Sequence, residues 1–185
     1  MIDKIINNSE LFYYIRDYCE ETDVSAEIDE KISEEDYIVL KIDKYYASLN
    51  LEKTPPSPDC LIIVKCKENN LYDLYLVELK NIKSPKYFEV KNIEDKFKTA
   101  VEDFMSVKFA DIFLNKSYKI NKFRIYFVTD AYRIKKSNPE ITEEDYRKQI
   151  KNTKLKLFEK LTPIGFRGKN TFIDPRLPNH KIKYC

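Results

Sequence analysis

Asp59, Glu78 and Lys80 are the residues whose types and spacing could do chemistry. Asp59 opens the apolar run "CLIIV", and Glu78 closes the run "LYLV" two residues before Lys80. On a β-strand, side chains i and i+2 share a face about 7 Å apart, while the residue between them points the other way. Glu78 and Lys80 would then stand side by side, with Leu79 plugged into the core. If the two runs form a hairpin, Asp59 reaches the same edge. Two carboxylates brought together do not comfortably stay ionised unless a cation joins them. Such hard oxygen ligands suit Mg²⁺, which uses one or two carboxylates and keeps several waters. A lysine beside that position can orient a water or help deprotonate it. This is a centre for phosphodiester hydrolysis, in which the metal also steadies charge developing on the phosphate.

The elements that must position these groups follow from periodicity. "NSELFYYIRDYCEE" carries apolar residues at Leu11, Phe12, Ile15, Tyr18 and Cys19, which predicts an amphipathic helix over 3–21. Residues 23–35 are acidic and read as a loop or short helix. "DYIVLKIDKYYASL" alternates through Ile38, Leu40 and Ile42, a strand that "TPPSP" breaks. "DCLIIVKCK", the turn "ENN" and "LYDLYLVELKNI" read as a hairpin over 59–82. Residues 92–115 place Phe97, Val101, Phe104, Met105, Phe109, Ile112 and Phe113 on one apolar face, a long helix. "KFRIYFVTD" is a fourth, mostly buried strand. "TEEDYRKQIKNTKLKLFEKL" is a helix with Thr142 as its cap and charges that suit its dipole. The tail after Pro163 reads as irregular and basic. The expected fold class is α/β, a mixed central sheet flanked by helices.

Pro58–Asp59, followed after eighteen residues by Glu78–Leu79–Lys80, resembles the motif of the PD-(D/E)xK nuclease superfamily. The order helix, strand, strand, strand, helix, strand over 3–130 resembles its restriction-endonuclease-like core. "DEK" (Asp29 to Lys31), "EVK" (Glu89 to Lys91) and "EDK" (Glu94 to Lys96) fit the same short pattern, but lie in polar or helical stretches. Only "ELK" ends an apolar strand. The resemblance implies that Asp59 and Glu78 ligate Mg²⁺, which Mn²⁺ can replace, with the Leu79 carbonyl as a further ligand. It implies that Lys80 positions or activates the water that displaces the 3′ oxygen and leaves a 5′ phosphate. Many members add a glutamate from the first helix. Glu10 is the candidate here, with Glu20 and Glu21 close behind.

The substrate this implies is double-stranded DNA, cut by a single nuclease domain spanning 1–185, as in a small type II restriction endonuclease acting as a homodimer. A junction-resolving, repair, mobile-element or CRISPR-linked nuclease is the alternative within the same chemistry. A non-catalytic nucleic-acid-binding protein on the same fold is the alternative outside it. Charge supports a polyanionic partner. The balance is −8 over 1–58 and +9 over 146–185, although the whole chain is only +2. Lys96 and Lys98 on the helix after the motif, and Arg167 and Lys169 in the glycine-containing loop "GFRGKN", are candidate phosphate contacts.

Other chemistries find little footing. His180 is the sole histidine, and no Gly-rich phosphate loop occurs. The four cysteines form no CxxC pair, so a zinc site is not expected. Cys60 and Cys66, evenly spaced on a strand, are expected to be reduced and buried as small hydrophobes. No run has the length of a membrane helix and the N-terminus lacks a signal-peptide core, so a cytoplasmic protein is expected.

Overall fold

The computed structural model describes residues 1–82 and 84–185. A short helix, α1 (Ile2–Ile6), leads into three small strands, β1 (Ile15–Arg16), β2 (Cys19–Glu21) and β3 (Val24–Ile28). The strand β4 (Tyr37–Lys41) passes directly into α2 (Ile42–Ser48). The hairpin β5 (Cys60–Lys65) and β6 (Leu71–Lys80) follows. α3 (Val90–Thr99) continues through a π-helical stretch, Ala100–Lys108, to α4 (Ala110–Phe113), and then comes β7 (Lys119–Thr129). Two helices, α5 (Ile134–Ser137) and α6 (Glu143–Gln149), precede four short strands. These are β8 (Ile164–Phe166), β9 (Lys169–Thr171), β10 (Ile173–Arg176) and β11 (His180–Ile182).

The central sheet has six strands in the order β1-β4-β5-β6-β7-β10. Pairing is antiparallel from β1 to β6, then parallel for β6/β7 and β7/β10. Alternation along each strand separates two apolar faces. Leu61, Ile63, Leu74, Leu76, Ile125 and Phe127 pack under the helices with Ile5, Tyr46, Phe97, Phe104 and Phe158. Ile62, Val64, Tyr75, Val77, Leu79, Tyr126 and Val128 pack against a second sheet, ordered β11-β3-β2. The molecule is thus mixed α/β, with helices covering one face of the central sheet and a small sheet covering the other. No described helix is long and apolar enough to cross a membrane.

Several expectations are corrected. The helix expected over 3–21 stops at Ile6, because the Asn8 carboxamide oxygen accepts from the backbone N–H groups of Glu10 (3.0 Å) and Leu11 (2.9 Å). The strand expected to run past Ile42 becomes α2 instead, burying Ile42, Tyr45 and Tyr46 at helical spacing. The tail after Pro163 is not irregular: β10 pairs in parallel with β7, and β11 with β3. The cysteines are not free thiols. Cys19 is bonded to Cys60, and Cys66 to Cys185. The Thr142 cap is observed, its hydroxyl accepting from Asp145 N at 3.1 Å, but the helix expected over 142–161 ends at Gln149 and gives way to the 3-10 segments Ile150–Asn152 and Lys154–Lys160.

Candidate active site

The carboxyl ends of β6 and β7 lie in register, with Glu78 beside Phe127 and Lys80 beside Thr129. The β5/β6 ladder ends at the pair Cys60–Val77. One step beyond that pair, the Asp59 side chain takes the place of a backbone acceptor, and its Oδ2 receives the Leu79 N–H at 2.7 Å. In an antiparallel ladder the N–H and C=O of one residue face the same neighbour, so the Leu79 carbonyl also points toward Asp59. Leu79 itself is buried on the opposite face. Thr129 Oγ1 donates to the Lys80 carbonyl at 2.9 Å and holds the end of β6 in place. The sequence geometry therefore brings Asp59, Glu78 and Lys80 to one corner of the sheet.

Glu78 is 1% exposed. Its Oε1 accepts from Lys96 Nζ at 2.5 Å, while its Oε2 is buried with no partner among the described residues. Burial first, and then the Asp59 charge, push its carboxyl up to about 8, against the pull of Lys96 and Lys80. Burial likewise raises Asp59, opposed by the Leu79 N–H and by Lys96 and Lys41. The Lys80 ammonium has no acidic partner among the described residues. It borders two clefts, one shared with Lys96 and one with Arg133.

Sequence reasoning missed Asp43. Ile42 N donates to the Asp59 carbonyl at 3.1 Å, which sets the first turn of α2 against Asp59. Asp43 raises the Asp59 carboxyl, and its own Oδ1 is buried without a partner. The signal was present as the helical spacing of Ile42, Tyr45 and Tyr46, hidden by the strand that precedes it. Lys41 was also missed. It acts on Asp59 and approaches Cys60 Sγ at 3.6 Å.

The remaining candidates lie elsewhere. Glu10 is exposed in a turn and neighbours the Tyr45 hydroxyl rather than Glu78. Glu20 and Glu21 are exposed on β2. Lys98 is paired with Glu94 at 2.6 Å. Arg167 donates to the carbonyls of Phe113 and Tyr118, and Lys169 follows on β9. Tyr118 precedes β7, so that loop sits roughly 30 Å of strand away from the Glu78 end at ~3.3 Å per residue.

Whether a divalent cation fits can be judged from the oxygens. Asp59 and Glu78 each commit one oxygen to a protein donor and keep the other uncommitted, the arrangement that orients metal ligands. The ligand oxygens of Asp43, Asp59 and Glu78 do not all come within 4.8 Å of one another, so these three carboxylates do not form one tight ligand cluster. Among the described residues, Cys66, Asp73 and Cys185 do bring three ligand-type atoms within 4.8 Å of one another. It does not fit a metal. Both sulfurs are in a disulfide, and Asp73 already accepts from Asn121 Nδ2 (2.8 Å), Lys122 N (3.0 Å), Lys122 Nζ (3.1 Å) and the Tyr75 hydroxyl (3.2 Å).

No family model matches this chain, and neither the curated proteins nor the solved structures contain a match to it.

Proposed function

We propose that this protein is a Mg²⁺-dependent endonuclease of the PD-(D/E)xK type acting on double-stranded DNA, a small type II restriction enzyme working as a homodimer. The observation that carries the reading is the half-committed pair. Asp59 and Glu78 each anchor one oxygen and free the other, beside a Lys80 ammonium without an acidic partner among the described residues, at the ends of adjacent strands. The run β5, β6, α3, β7 also supports this reading, although α2 stands between β4 and β5 and three short strands stand between α1 and β4.

Asp59, Glu78 and the Leu79 carbonyl would hold the divalent ion, Mg²⁺ or Mn²⁺. Bound there, it would stabilise the charge developing on the phosphate. The chain's own residues do the rest. The Leu79 N–H fixes the Asp59 carboxylate, and Thr129 fixes the end of β6. Lys80 presents its ammonium to the attacking water and to the phosphate. Lys96 pulls Glu78 toward its ionised form, against the burial and the Asp59 charge that favour the protonated one. A cytoplasmic location fits a DNA substrate, whereas paired cysteines are the exception in cytosolic proteins. A junction-resolving, repair, mobile-element or CRISPR-linked nuclease would use the same site and differ in the DNA it accepts.

One observation favours the non-catalytic reading. Asp43, Asp59 and Glu78 are matched by Lys41, Lys80 and Lys96, so the cluster is charge-balanced without a metal. Plasmid incubated with Mg²⁺, with and without EDTA, separates the two. Cutting is expected only with Mg²⁺, and Glu78→Ala and Lys80→Ala should lose it by roughly 10²- to 10⁴-fold while duplex binding survives. Cutting by both variants at the wild-type rate would sink the assignment.

A further inference from the structure

Two clefts meet at Lys80. One, of about 250 Å³, is walled by Lys80, Lys86, Tyr87, Asn92 and Lys96. The other, of about 400 Å³, has Lys80, Arg133, Lys135 and Lys136 on its walls. Lys80 lines both, so the two clefts adjoin at the carboxyl ends of β6 and β7 as the halves of a furrow with Lys80 between them. Six cations line it, against the carboxylates of Glu89, Asp23 and Asp130.

The distal half of this furrow is built, not merely decorated. Asp130 accepts from the backbone N–H groups of Lys135 (3.1 Å) and Lys136 (3.0 Å), and its carbonyl accepts from Arg133 N at 2.7 Å. Lys135 Nζ is tied to the Pro178 carbonyl at 2.6 Å. This bracing holds Arg133 and Lys136 exposed, and neither has an acidic partner among the described residues. Lys86 is likewise exposed and stands over the Tyr87 ring at 5.1 Å. The near wall is braced too, since Lys154 Nζ donates to the carbonyls of Pro85 and Phe88.

The other strongly basic concavity, around Arg124 and Arg147, differs in kind. Part of its charge is neutralised from within, Arg147 by Asp174 at 2.9 Å and Arg176 by Asp174 at 2.5 Å and Glu143 at 3.2 Å, while Arg124 and Lys151 have no ion pair among the described residues. Cations already matched release no counterions from a polyanion and add little to its affinity.

Resting on the nuclease reading, we infer that one strand of the DNA substrate lies in this furrow, its phosphates meeting Lys86 on one side of Lys80 and Arg133 and Lys136 on the other. The "GFRGKN" loop then takes no part in the grip.

The test is binding of a short labelled DNA duplex in EDTA over a series of salt concentrations. Arg133→Ala/Lys136→Ala should weaken binding on the order of tenfold and flatten the salt slope by about 1.8, or about 0.9 per lost phosphate contact. Lys86→Ala should flatten it by about 0.9. Arg133→Lys should retain the wild-type slope, and Lys169→Ala should bind as wild type does. Equal melting temperatures verify that each variant folds. Wild-type affinity and slope in the furrow variants, or an equal loss in Lys169→Ala, overturns the path, as does a wild-type chain that binds no duplex. If the wild type cuts plasmid while the furrow variants bind normally, the path alone falls. If binding depends on the furrow and no Mg²⁺-dependent cutting occurs, the path stands and the nuclease reading falls.

Discussion

Glu78 concentrates the energetic tension of the molecule into one side chain. Its carboxyl titrates near 8 in the folded state, against an ordinary value of 4.5. Between those values the folded chain keeps a proton that the unfolded chain has released, so stability declines as pH rises through that window. Glu78→Gln removes the penalty. In EDTA the variant should melt higher than the wild type above about pH 8, and the difference should close below about pH 4.5. A variant that melts lower at high pH would mean that the Lys96 ion pair outweighs burial. The same tension gives Lys96 its place, because a lone buried carboxylate is far more costly than a paired one. Asp73 is the contrasting case, an equally buried carboxylate satisfied by four donors and left with nothing to offer a ligand.

The elements that carry the site were the most legible part of the chain, and the reasons are physical. β5, β6 and β7 are buried on both faces, so they read as continuous apolar runs. The long helical face from Phe97 to Phe113 is buried as its periodicity implied, although the backbone runs through a π-helical stretch there. Short elements were not legible, since β8 to β11 each have three or four residues; β10 and β11 pair with strands distant in sequence, and β8 and β9 form a small hairpin with each other. Asp43 was lost for the same reason, lying just past a strand whose alternation masked the start of a helix. Two expectations belong at this scale. Thr142→Ala should destabilise the chain by about 1 kcal/mol in urea denaturation, the usual loss for such a cap. Lys154→Met should speed hydrogen exchange in residues 84–89 and reduce cutting, since Lys154 pins the loop that carries Lys86 and Tyr87. Unchanged exchange there would show that the loop is held by Phe88 packing alone.

Across the whole molecule, two disulfides tie the small sheet to the central one. Cys19 and Cys60 are fully buried, whereas Cys185 is exposed. Thiol–disulfide exchange needs access to sulfur, so a reductant series with mass mapping should open Cys66–Cys185 first and Cys19–Cys60 later. Each opening should lower stability by about 2–4 kcal/mol. The reverse order would contradict the burial argument. The pairing of β11 with β3 joins residues 180–182 to residues 26–28. During translation at roughly 5–20 residues per second, the early partner must therefore wait on the order of ten seconds or more for its mate. Through that interval β2 and β3 can already lie over Tyr75 and Val77, but the small sheet lacks its third strand, and the cover stays incomplete until the ribosome delivers β11.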